Sequence, residues 1–92
     1  MTISNIQVVP VRPDKTLAGF ATVEVDGWLI LAGIAIHVHE GGTITLAFPS
    51  RRDSRGSEHK LMYPKTNEAK EILTREVQNV WNLTLKEAYQ NE

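Results

Sequence analysis

Basic residues are concentrated in one short stretch of this 92-residue chain. Between residues 51 and 65, five cations stand against two carboxylates, a net charge of +3, whereas the whole chain carries −1. Arginine suits phosphate recognition because its planar guanidinium donates two parallel hydrogen bonds. The stretch therefore indicates a surface that binds phosphates, about three to five of them. Its cations are Arg51, Arg52, Arg55, Lys60 and Lys65.

A solvated loop with local Arg–Asp pairs is the competing interpretation, since exposed ion pairs contribute little. The isoelectric point near 6.3 gives the chain no general attraction to nucleic acid, so a binding role depends on the local patch. Lys70 and Arg75 could extend the patch along a helix, although ordinary pairing of Glu71 with Arg75 explains that spacing better. Tyr63 is the aromatic residue best placed to stack on a base.

Other chemistry-bearing residues do not form a catalytic or metal site in the sequence. His37 and His39 point to the same face of a strand and could bind a metal with a carboxylate or His59, but two ligands are too few for zinc. Ser50 lacks a glycine-flanked nucleophile elbow, and no glycine-rich phosphate loop occurs. We therefore expect no enzyme, no metal, no cofactor and no small-molecule substrate.

The composition also bears on the compartment. The chain has no cysteine, which excludes disulfides and fits a reducing cytoplasm. The first five residues lack the basic and apolar regions of a signal peptide. The nearly charge-free run from 27 to 38 is shorter than the roughly 20 residues that span a bilayer. We expect a cytoplasmic protein without a membrane partner.

Strand patterns fill the first two thirds of the chain. Residues 7–12 predict an opening strand, and Pro10 within it favours the edge of a sheet because proline donates no ladder hydrogen bond. Asp26-Gly27 predicts a tight hairpin. The run from 28 to 38 is apolar on both faces, which predicts a central strand covered on both sides. Because one helix covers only one face, we expect a homodimer that covers the apolar hairpin or pairs edge strands.

The patterns change beyond residue 42. Residues 43–48 predict a strand, residues 50–57 a polar loop, and residues 60–63 another short strand. Thr66 or Asn67 then caps a helix whose apolar residues recur every three or four positions.

One domain over residues 1–92 is predicted, of the α+β class. An antiparallel β-meander of four to five strands, over about residues 3–63, precedes a C-terminal α-helix over about 67–82. Residues 83–92 either extend this helix or fray.

The segment from Ala47 to Pro64 resembles the SpoVG family. Family members typically carry the string A-M-P-S-K-R, a loop with a glycine, and a strand ending in H-P. Two loop positions that are often acidic in the family are Arg55 and Lys60 here. The matching residues are Ala47-Phe48-Pro49-Ser50-Arg51-Arg52, then Gly56, then Tyr63-Pro64.

This resemblance implies a small bacterial dimer of antiparallel sheets, each with a C-terminal helix. It also implies site-selective binding to DNA and, in some members, RNA, with roles in septation and developmental regulation. We expect a regulator that contacts the nucleic-acid backbone through its basic loop, with Lys70 extending the patch. The alternatives are a dimeric protein-interaction module of the same fold, whose loop meets an acidic partner, and an enzyme, which the lack of a nucleophile–base pair disfavours.

Overall fold

A computed structural model describes residues 2–90, and its main feature is a four-stranded antiparallel sheet. Consecutive strands pair in the order β1-β2-β3-β4, which makes a meander. A two-stranded hairpin and a C-terminal helix follow, so the predicted α+β class is confirmed. The elements are β1 (Ile3–Asp14), β2 (Leu17–Val25), β3 (Leu29–Val38), β4 (Ile44–Ala47), β5 (Ser50–Arg52), β6 (Glu58–Lys60) and α1 (Asn67–Gln90), with a short 3-10 turn at Glu40–Gly42.

The turn between β2 and β3 has the geometry that its sequence predicts. Asp26 and Gly27 both adopt positive φ, 54° and 77°. The N–H of Trp28 donates to the carbonyl of Val25 at 3.3 Å. Positive φ at both central residues is the signature of a type I′ turn, whose twist suits an antiparallel hairpin.

Strand β1 lies at one edge of the sheet, as Pro10 predicted. Its pairing with β2 shifts register between Ser4 and Gln7, where Asn5 has a φ of 47°. Such a bulge bends and twists an edge strand. At the other edge, β4 has only four residues.

The core lies between one face of the sheet and α1. Leu73, Val77 and Trp81, four residues apart, form the buried stripe of the helix. Burying a large apolar side chain stabilises the fold by about 1.5–3 kcal/mol. The sheet contributes the buried residues Ala21, Val23, Ile34, Ile36 and Ile44.

Gly19 allows the helix to approach the sheet closely. A Cβ atom at this position would lie 2.8 Å from the carbonyl oxygen of Val9 and 2.9 Å from Cζ3 of Trp81. Real Cβ atoms do not approach other atoms so closely, so any larger residue would push the indole away. The buried Nε1 of Trp81 has no hydrogen-bond partner among the described residues.

The helix takes the longer of the two lengths that the sequence left open. Thr66, not Asn67, caps it, because the Thr66 Oγ1 accepts the Ala69 N–H at 3.0 Å. The helix then continues to Gln90, so residues 83–90 extend it. Leu85 lies four residues after Trp81 and packs against the core, so the apolar stripe extends beyond the predicted end. Residues 91 and 92, the end of the segment that was expected to extend or fray, lie outside the described residues.

The predicted loop at 50–57 is wrong for its first three residues, which form β5, whereas residues 53–57 lie outside the strands. The short strand predicted at 60–63 is also displaced, because the paired strand is Glu58–Lys60. Polar hydrogen bonds hold this hairpin, and apolar periodicity does not report them. Within the described part of the chain, no helix combines the length and the apolar character needed to span a bilayer.

One face of β3 packs on the helix, as the buried Ile34 and Ile36 show. The beginning of the strand and the turn before it are open instead: Trp28 is 82% exposed and Ile30 66%. A strand covered along both faces was predicted. The single chain supplies that cover only on the helix side, since α1 is the one helix that the described residues form.

Candidate nucleic-acid interface

Residues 50–60 form the basic hairpin, which consists of β5, β6 and the tip between them. The N–H of Leu61 donates to the carbonyl of Pro49 at 2.8 Å and closes its base. Every residue from 50 to 60 is exposed. The hairpin thus turns four of the six predicted site residues towards solvent: Arg51, Arg52, Arg55 and Lys60.

Strand pairing distributes these cations over both faces of the hairpin. Arg51 lies opposite His59, so these two side chains share one face. Arg52 lies opposite Glu58, and Lys60 belongs to that second face. A strand of nucleic acid on either face would meet at least one arginine or lysine.

The carboxylate on the second face is engaged by a hydroxyl and not by a cation. The Oγ of Ser50 donates to Oε1 of Glu58 at 2.8 Å. The guanidinium of Arg52 donates to the carbonyl of Gly56 at 3.3 Å. Among the described residues, the His59–Asp53 contact is the only one within 4 Å between a basic and an acidic side chain. No carboxylate in the described part of the chain neutralises the hairpin arginines, so their positive charge is available to an external anion.

Asp53 organises the tip. Its Oδ1 accepts the backbone N–H groups of Arg55 at 2.9 Å and Ser57 at 3.0 Å, and its Oδ2 lies 2.8 Å from Nε2 of His59. These bonds favour the carboxylate: the contact with His59 first, then the N–H groups of Ser57 and Arg55, hold the pKa of Asp53 below its ordinary value. Gly56, with a φ of 81°, completes the turn.

This role of Asp53 and His59 was not predicted from the sequence. An Asp followed two residues later by a polar residue and then by glycine is a signal of a side-chain-stabilised turn. Read that way, the segment would have predicted an ordered tip that fixes the backbone of Arg55.

An exposed aromatic ring adjoins the base of the hairpin. The Nζ of Lys60 lies 5.9 Å from the centroid of the Tyr63 ring, within the range of a cation–π contact. Tyr63 is 63% exposed and lines an apolar cleft of about 210 Å³ between the sheet and the start of α1.

The other two predicted site residues lie off the hairpin. Lys65 is exposed and lines the apolar cleft next to Pro64. Lys70 lies on α1, where it lines an open groove of about 500 Å³ together with Arg75. The six residues thus divide into a group of four on the hairpin and two beside the helix.

Gln78 in that groove has a structural role. Its Oε1 accepts the N–H of Ile44 at 2.9 Å, and its Nε2 donates to the carbonyl of Gly42 at 3.1 Å and to Oδ1 of Asn82 at 3.0 Å. The amide therefore ties the β3–β4 turn to the helix. Its hydrogen-bonding capacity is largely used within the chain.

The two histidines on β3 and after it have neighbouring threonines as partners. His37 Nδ1 lies 2.9 Å from Oγ1 of Thr16, and His39 Nε2 lies 2.8 Å from Oγ1 of Thr45. Over residues 2–90, His, Asp and Glu side chains form no group of three or more that could hold a metal ion.

Comparison with known proteins relates this chain to a family and to a named relative. The model of a protein family described as SpoVG matches residues 1–83, which include the whole sheet, the basic hairpin and most of the helix. A protein of Treponema denticola named "Putative septation protein SpoVG" is 27% identical over 84 residues, which cover 91% of this chain and 89% of that protein.

Proposed function

This chain belongs to the SpoVG family, and from that premise we propose that it is a cytoplasmic, homodimeric regulator that binds the backbone of DNA or RNA. The basic hairpin makes the main contact, and Lys65 and Lys70 extend it. The name of the Treponema relative makes septation the process in which we propose that this regulation acts.

One observation carries the proposal. The hairpin holds three guanidinium groups and one ammonium group, all exposed, and none of them has a carboxylate within ion-pair distance among the described residues. Unpaired guanidinium groups at a surface are suited to phosphate oxygens, which they bind through charge-assisted hydrogen bonds. The ordered tip adds to this, because a fixed backbone reduces the entropy that binding must remove.

Dimerisation is proposed from the apolar end of the β2–β3 hairpin. Trp28, Leu29 and Ile30 are consecutive and exposed, and such a cluster commonly marks an interaction surface. Covering it with a second copy would bury apolar area on both protomers through a two-fold axis. A dimer would also present two basic hairpins and raise the positive potential that attracts a polymer.

A salt titration tests the backbone contact. Fluorescence anisotropy with duplex DNA, single-stranded DNA and RNA should give affinities that fall as salt rises. About three to five phosphate contacts give a log–log slope of about −3 to −4.5 on duplex DNA. Light scattering on the same sample should give twice the 10.3 kDa chain mass.

Absence of binding to all three polymers at low salt would contradict this function. It would favour the alternative of a dimeric protein-interaction module, whose hairpin meets an acidic protein partner. A monomer in light scattering would refute the proposed role of the apolar hairpin end.

A further inference from the structure

We propose that the ring of Tyr63 stacks on an unpaired base, so that this surface binds single-stranded nucleic acid in preference to duplex. The inference rests on the proposed function and adds the class of polymer and a binding residue outside the basic hairpin. The exposed ring of Tyr63 lies beside the basic hairpin, the proposed phosphate-binding surface.

Tyr63 is exposed, although the residues next to it in the chain are half-buried or hydrogen-bonded. Met62 and Pro64 are half-buried, and the N–H of Leu61 is bonded to Pro49. The backbone that carries the ring is therefore fixed at the base of the hairpin, while 63% of the residue remains accessible. A tyrosine on a held backbone has only two side-chain torsions left to order, so little entropy is lost when a flat ligand packs on its ring.

Cations lie on both sides of Tyr63 along the chain. The ammonium of Lys60 is 5.9 Å from the ring centroid, and Lys65 lines the same cleft as the ring. Proteins that bind single strands combine a positive track for the backbone with aromatic rings for successive bases. Here Lys60 and Lys65 would hold the phosphates that flank a base on Tyr63.

The preference for a single strand follows from the accessibility of the base faces. In a duplex each base is stacked between its neighbours, so a surface ring reaches no base face unless a base is unstacked at a cost. In a single strand the faces are available, and every base offers one, so stacking tolerates sequence differences. The hairpin arginines bind phosphates in either form, and Tyr63 discriminates between them.

The test compares variants of Tyr63 on a single strand and on the duplex of the same sequence. Tyr63→Leu keeps apolar volume but has no aromatic face, and it should lose about 5- to 150-fold in affinity for the single strand. Its affinity for the duplex should change by less than about twofold. Tyr63→Phe keeps the face and should bind both polymers like the wild type.

Leu61→Ala is the matched control, because Leu61 is an equally exposed apolar neighbour without an aromatic face. It should leave the affinity for the single strand unchanged. An oligonucleotide that carries 2-aminopurine gives a second readout. Its fluorescence should be quenched by stacking with the wild type and Tyr63→Phe, and not with Tyr63→Leu. Light scattering on each variant checks that the dimer mass is kept.

Three results would overturn the inference while leaving the proposed function intact. The first is wild-type protein that binds duplex as tightly as the single strand. The second is Tyr63→Leu with unchanged single-strand affinity, and the third is Tyr63→Leu with equal losses of affinity on both polymers. If the wild type binds neither polymer, the proposed function fails and this inference fails with it.

Discussion

The sheet with its helix and the basic hairpin are stabilised by different interactions. Side chains such as Ile34 and Val77 are fully buried between β3 and α1, so burial of apolar area dominates there. The hairpin has no buried residue, and polar contacts around Asp53 and between Ser50 and Glu58 hold it. Apolar burial therefore stabilises one region of this chain, while the accessible positive charge lies in another.

Such a division is physically favourable. Cations that bind phosphate must be exposed, so they cannot contribute much to a core. Substitutions in the two regions should therefore affect different quantities. Core substitutions should change the free energy of unfolding, and hairpin substitutions should change the affinity for nucleic acid. The expected effects on the free energy of unfolding decrease in the order below.

Trp81→Ala should have the largest effect. The indole is buried in the helix stripe, and removing such a side chain from a core costs about 3–5 kcal/mol. Urea denaturation followed by far-UV circular dichroism measures this loss. Trp81→Phe should cost less, because it keeps a ring and removes the buried Nε1 that lacks a partner. Equal losses for the two variants would mean that the indole is not packed as described.

Gly19→Ala should destabilise by about 1–3 kcal/mol through overpacking. The added methyl group would meet the Val9 carbonyl oxygen and the Trp81 ring at less than 3 Å. A double-mutant cycle with Trp81→Leu is the control, because contacting residues show coupling. The alanine should cost less when the indole is absent. Additive losses would place the clash at Val9 alone.

Acid should loosen the tip of the hairpin before it affects the core. The pKa of Asp53 is lower in the folded protein than in the unfolded chain. Its stabilising contribution is therefore complete above the ordinary aspartate value and is lost as the pH falls below about 4, through the folded pKa. The protection factors of the Arg55 and Ser57 amides, the exchange rates expected for an unfolded chain at each pH divided by the observed rates, should therefore fall over that range.

Asp53→Asn serves as the control for the acid effect. The protection factors of the same two amides should no longer fall with acid in this variant, while those of the β2 and β3 amides should behave as in the wild type. An acid response that persists in Asp53→Asn would assign the effect to another group.

Arg51→Ala with Arg52→Ala should have the smallest effect on stability, within about 0.5 kcal/mol, as exposed substitutions usually do. Its effect on binding should be large in contrast: weaker affinity for every polymer and a duplex salt slope reduced by about two. The matched control is Arg12→Ala with Lys86→Ala, which removes two exposed cations outside the hairpin.

A large fall in melting temperature for the hairpin variant would mean that these arginines are structural. Equal losses of affinity in the hairpin variant and its control would mean that net charge, and not the hairpin, determines binding.

The core region could be predicted from the sequence because the buried face of a helix shows apolar residues at a regular spacing. The spacing of Leu73, Val77 and Trp81 predicted the helix, and Asp26-Gly27 predicted the turn at its observed place. The helix end was left open because apolar spacing alone does not decide whether Leu85 packs against the core, as it does in the structure.

The hairpin could not be predicted in the same way. Its strands have no apolar alternation, and its order depends on hydrogen bonds from Asp53 that only the folded turn brings together. The basic residues themselves were visible in the sequence. Their division into a hairpin group and the pair Lys65 and Lys70 depends on tertiary packing, which charge counts do not contain.

The edge strands of the sheet limit how copies of this chain can assemble. One outer strand is interrupted by Pro10 and by the irregular pairing near Asn5, and the other is only four residues long. Neither offers the long, flat row of free backbone groups on which further strands would accumulate. Copies of this chain would thereby resist growth into fibres, even when many of them crowd side by side.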